Sequence, residues 1–164
     1  MKPTFVIVHG AWHSPSHFAH LIAQLQKLDY PAVAAKLPSV GSVSPLLQSV
    51  IQDTDSIKES FLNPLLEDGK DVILVTHSYG GVPGCAAVKG LSKAQRKNEG
   101  QRGGVIGIIC ISSYLVKEAP SMGGESGNWP PFCIVDVCMP NTSKKRGRGA
   151  TLICCLGSYK SANS

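Results

Sequence analysis

Aromatic residues are scarce in this chain, with two Trp, four Tyr and four Phe among 164 residues. Long apolar runs are absent as well. None approaches the ~18 residues of a membrane-spanning helix, so no membrane partner is expected. The first apolar run, Thr4 to Val8, is shorter than the core of a secretory signal, which makes a cytosolic setting the expectation. Cysteine occurs six times but never as a Cys-x-x-Cys pair or at zinc-site spacing. Cys85, Cys110 and Cys133 are scattered among apolar residues, where a thiol behaves as a small hydrophobe. Cys138, Cys154 and Cys155 crowd towards the end.

Acidic residues are missing from the last 28 positions. Residues 1–136 carry eleven Lys/Arg against eleven Asp/Glu, so the net charge of +5 lies wholly in 137–164. The cluster Lys144-Lys145-Arg146-Gly147-Arg148 would suit an anionic partner. No aromatics interleave it and no binding motif accompanies it, so a solvated tail and no nucleic-acid partner are expected. Periodicity is also lost there, apart from 150–156. A folded unit over 1–136 followed by an irregular tail is therefore predicted. Histidine is the last absence: His9, His13, His17, His20 and His77 all come early, and none follows.

What is present alternates strand and helix. Thr4-Phe5-Val6-Ile7-Val8, Ala32-Val33-Ala34-Ala35, 71–76 and 104–112 read as buried strands, apolar on both faces. Ser14 and Pro15 open a helix whose Phe18, Leu21, Ile22, Leu25 and Leu28 form one apolar stripe. A second helix is predicted over 45–66 with Asp68-Gly69 as its stop, and a third from Ser78 to Leu91. The polar run 92–102 reads as an exposed helix end and loop, and 132–135 as a short strand or part of a lid. Such alternation predicts an α/β fold, a parallel sheet with helices on both faces.

Thr76-His77-Ser78-Tyr79-Gly80-Gly81 lies where the third strand should end and a helix begin. A serine on such a turn exposes its hydroxyl, small neighbours relieve the crowded backbone, and the helix N-terminus favours developing negative charge. Thr76 stands where the usual Gly-x-Ser-x-Gly pattern has glycine. The first strand ends in His9-Gly10-Ala11-Trp12-His13. Over roughly residues 3–136 the two motifs together resemble the N-terminal half of the α/β-hydrolase fold family, in its small esterase and hydroxynitrile-lyase-like branch. That resemblance implies a partial α/β-hydrolase fold ending after about the fourth strand. It makes Ser78 the nucleophile of acyl transfer and the backbone N–H groups of Tyr79 and Ala11 (or Trp12) the oxyanion hole. A small ester-like substrate would acylate Ser78, with Trp12 and Trp129-Pro130-Pro131 as candidate apolar walls. No cofactor is implied, since Gly80-Gly81 and Gly103-Gly104 form no phosphate-binding fingerprint.

The family's triad runs Ser, acid, His in chain order, and here the sequence departs from it. The acids after Ser78 are Glu99, Glu118, Glu125 and Asp136, of which Glu118 and Glu125 follow the fourth strand. With no histidine downstream, an acid has nothing to orient. His77 should point away from the turn, and His9 should anchor the oxyanion loop. His13, His17 and His20 have the spacing of one helix face, but read as a loop residue and two half-exposed helix positions, so no metal is predicted. Ser112 and Ser113 either line the pocket or cap the strand. The primary reading is a serine hydrolase lineage acting on carboxylic esters, its histidine and acid missing from a truncated chain. The alternatives are a catalytically dead small-molecule binder using the same pocket, and an interaction protein using the basic tail. A sheet stopping at its fourth strand would leave an edge open to self-association.

Overall fold

A computed structural model describes residues 1–42 and 49–114. The tail 137–164, the stretch 132–135, Glu118, Glu125, Asp136 and the Trp129-Pro130-Pro131 wall lie outside the described residues.

Four largely apolar runs form β1 (Thr4–Val8), β2 (Ala32–Ala35), β3 (Asp71–His77) and β4 (Gly104–Ile111). All pair in parallel, in the order β2-β1-β3-β4. β1 sets Phe5 to Val8 against Ala32 to Ala35 on one side and Thr4 to Val8 against Val72 to Thr76 on the other. Between β3 and β4 the register slips at Val72/Ile73, which leaves Ile106 as the extra residue. The chain leaves β1 towards β2 and returns on β1's other flank as β3. The carboxyl ends of β1 and β3 therefore meet at the point where strand order reverses, the usual place for a crevice in an open α/β sheet.

The helices are α1 (Ala19–Lys27), α2 (Val50–Ile57), α3 (Asn63–Glu67), α4 (Gly81–Ala87) and α5 (Lys93–Asn98). The tightest core lies on one face of the sheet. There Val6, Val8, Val72 and Leu74 are sealed by Ile57, Leu62, Leu66 and Ala87. Each such side chain contributes about 1.5–3 kcal/mol by leaving water.

The strands match the expected spans closely; the helices differ in ways that trace to single residues. The first helical stretch opens as a 3-10 turn (Pro15–Phe18), and its apolar stripe is half-buried, with Leu28 62% exposed. Helix α2 begins after Ser49, whose hydroxyl accepts from the Ile51 N–H at 3.3 Å; 43–48 lie outside the described residues. Between α2 and α3 the chain widens into a π turn (Lys58–Leu62) just before Pro64. Proline donates no bond to the preceding turn, and a wider turn accommodates the gap. Gly69, at φ 74°, ends α3 as Asp68-Gly69 predicts. The helix after Ser78 is shorter than expected, because Gly90 takes φ 80°. The run 92–102 holds a helix of its own: the Ser92 hydroxyl accepts from the Gln95 N–H at 3.2 Å and caps α5. Among the described residues no helix is long and apolar enough to cross a membrane.

Candidate active site

Ser78 follows β3 directly and has φ 52°, a left-handed backbone that costs a non-glycine residue about 1–2 kcal/mol. A 3-10 turn (Ser78–Gly80) then leads into α4. This strand, strained turn and helix is the geometry of a nucleophile elbow. Three neighbours hold the turn. The Ser113 hydroxyl donates to the Ser78 carbonyl at 3.0 Å and the Tyr114 N–H donates to the same oxygen at 3.3 Å. Gly80 lies against the end of β1, where a Cβ would stand 2.6 Å from the His9 carbonyl oxygen and 2.7 Å from that of Val8. Gly81 faces Ser113 and Tyr114 just as closely. Ser113 is buried and accepts from Thr76 Oγ1 at 2.9 Å. Of the two readings open for it, Ser113 thus fastens the strand end.

The loop after β1 lies next to this turn. A Cβ on Gly10 would lie 3.0 Å from Ser78 Cβ and 3.1 Å from His77 Nδ1, so any larger residue there would press on both neighbours. His9 is buried, and its Nδ1–H donates to the Gly10 carbonyl at 2.9 Å; the His13 N–H donates to the same oxygen at 3.1 Å. Two donors on one carbonyl fix that peptide plane, and the planar trans peptide then turns the Ala11 N–H the opposite way. Burial holds the His9 imidazole below its usual pKa, against the bond to Gly10 and the nearby Asp53. Trp12, in the same loop, is 91% exposed.

The other histidines divide by role. The His77 ring lies 4.8 Å from that of His13 and 6.0 Å from Phe18. Its Nδ1 is buried with no hydrogen-bond partner among the described residues. Burial, then His13 and His9, lower its pKa and favour the neutral ring. His13 also meets the His17 ring at 5.0 Å. His17 Nδ1 accepts the Ser14 N–H at 3.0 Å, a helix-opening contact, while His20 is exposed.

Asp53 was not among the candidates read from the sequence. It is fully buried on α2. Its Oδ1 accepts the Ser39 N–H at 2.9 Å, and its Oδ2 accepts the Ser39 hydroxyl at 2.5 Å and the Tyr79 phenol at 2.7 Å. Burial and this bond push the Tyr79 phenol up to about 12, so it stays a donor. One signal was available: Val50, Asp53 and Ile57 keep the 3-4 spacing of a buried stripe, which places a carboxylate where an apolar residue belongs.

A family model described as "Alpha/beta hydrolase family" matches residues 5–142. The chain belongs to the α/β-hydrolase family. The "Alpha/beta hydrolase nvfD" of Aspergillus novofumigatus is 35% identical over 125 residues, which cover 76% of this chain and 48% of that one. The "Probable hydrolase R7" of a Phoma species is 33% identical over 131 residues, covering 77% and 50%. The chain spans about half the length of these curated relatives. A solved structure of a polyneuridine aldehyde esterase variant has a TM-score of 0.58 over 83% of this chain and 50% of its own, at 16% identity. That likeness is one of fold.

Proposed function

We propose that Ser78 is the acyl-accepting nucleophile of a carboxylic-ester hydrolase, with Tyr79 and Ala11 supplying the oxyanion-stabilising N–H groups. The observation that carries the reading is the left-handed serine between β3 and α4, with Gly10 of the neighbouring loop against it. In this reading Ser78 Oγ attacks the ester carbonyl carbon, and the oxygen that becomes negative is met by the two backbone donors. The alcohol leaves with a proton, and water then cleaves the acyl-Ser78 ester to a carboxylic acid. Trp12, exposed beside the loop, supplies apolar surface to the acyl group.

The proton given up by serine ordinarily goes to a histidine. Residues 79–164 contain none, so for this chain the reading covers the nucleophile and the oxyanion donors. Such a site acylates slowly, since an oxyanion hole and binding alone retain about 10³-fold over water. Incubated for hours with p-nitrophenyl butyrate, the protein is expected to gain one butyryl group on the peptide that holds Ser78, read by mass spectrometry. Acylation spread over lysines, or undiminished in Ser78→Ala, overturns the reading. A cytosolic setting is part of it, and recovery from a secreted fraction would count against that part.

A further inference from the structure

The peptide joining Ser78 to Tyr79 is held at its oxygen, because the Ser78 carbonyl accepts from Ser113 and from the Tyr114 N–H. The side chain of the same Tyr79 is held on the far side, by Asp53. A planar peptide fastened at its carbonyl and again through the next side chain keeps one orientation, and with it one direction for the Tyr79 N–H. That N–H is the oxyanion donor of the proposed reaction.

The fastening is built at a cost. Asp53 is completely buried, and among the described residues its partners are Ser39 and Tyr79, neutral donors that between them reach both carboxylate oxygens. The lysine bridges among the described residues go to Asp29, Asp68 and Asp71 instead. A buried carboxylate without a cation is unfavourable unless hydrogen bonds compensate it fully, and here they run to the residue directly after the nucleophile. They also join three separate elements: the loop after β2, helix α2, and the elbow.

We infer that Asp53, bridging Ser39 and the Tyr79 phenol, is a positioning residue that aims the Tyr79 backbone N–H at the oxyanion. It touches no substrate and acts through Tyr79. The inference rests on the ester-hydrolase reading of Ser78 and adds a residue to it. Asparagine at position 53 keeps the shape but offers one acceptor oxygen where the carboxylate offers two. Phenylalanine at position 79 keeps the ring and removes only the hydroxyl.

The test uses the full chain and two readouts. In a fluorophosphonate titration, Asp53→Asn and Tyr79→Phe should each lower the limiting rate of Ser78 modification about tenfold while the probe's half-saturation concentration holds. The double variant should fall no further, since both remove one link. In ¹H–¹⁵N spectra the Tyr79 amide should move in Asp53→Asn. Wild-type rates in folded protein, or an unmoved Tyr79 amide, overturn the inference; a purely structural role would lower the melting temperature and do neither. If wild-type Ser78 takes no probe, the hydrolase reading fails separately. The amide then decides the tether: a shifted resonance supports it and an unmoved one overturns it. Should Asp53→Asn not fold, Tyr79→Phe carries the rate measurement, and a wild-type rate there overturns the inference.

Discussion

Thr76 occupies the position where a nucleophile elbow usually has glycine, and two neighbours accommodate it. Its hydroxyl bonds Ser113, and its methyl reaches towards Gly84, where a Cβ would lie only 2.9 Å away. The glycine missing from the strand side is matched by one on the helix side. The histidines beside the elbow carry a pH dependence of definite sign. His9 and His77 both have pKa values below the usual 6.5, chiefly through burial. The unfolded chain therefore binds protons more readily than the folded one, and stability is full above about 6.5 and is lost as pH falls through that value. Urea midpoints should drop between pH 7.5 and 5.5, and His77→Gln should make the drop shallower. An unchanged acid slope in that variant would refute this role. Ser78 was legible from its neighbours because turn, glycines and strand all agree locally. Asp53 was not, since in Gln52-Asp53-Thr54-Asp55 it reads as one more residue of a solvated face, and only the tertiary partners Ser39 and Tyr79 make it a buried acceptor.

Among the elements, the strands were legible almost to the residue. A continuous apolar run bounded by turn residues has one way to be satisfied in a sheet covered on both faces. Helix limits were less so, because they depend on tertiary bonds and on the backbone of single residues. Pro64 sits after a π turn inside what reads as one helix, and Ser92 starts a new helix where the polar run 92–102 reads as the end of the preceding helix and a loop. The elbow helix offers the sharpest test at this scale, since it rests on β1 through Gly80. Gly80→Ala should cost about 1–3 kcal/mol in urea unfolding, because the new methyl meets backbone oxygens that cannot move aside. Gly107→Ala on β4, which meets nothing within 4 Å, serves as the control and should stay within about 0.5 kcal/mol. Equal effects for the two would contradict the close approach of the Ser78–Gly80 turn to the end of β1.

For the whole molecule, the strand order places the crevice before any side chain is considered. β2 lies on one flank of β1 and β3 on the other, so the His9-Gly10 loop and Ser78 emerge side by side. Two buried polar groups then fix the two candidate oxyanion donors from behind, His9 through the Gly10 carbonyl and Asp53 through the Tyr79 phenol. The family was legible because both motifs end strands in the right order. The substrate was not, since Trp12 is the one candidate wall within the described residues. Everything functional in this account depends on Ser78 being a nucleophile. The most direct measurement is peptide mapping after exposure to a fluorophosphonate. One adduct per chain on Ser78, absent in Ser78→Ala and slowed by a competing ester, is the predicted result. Adducts on other residues, or labelling indifferent to Ser78→Ala, would contradict it.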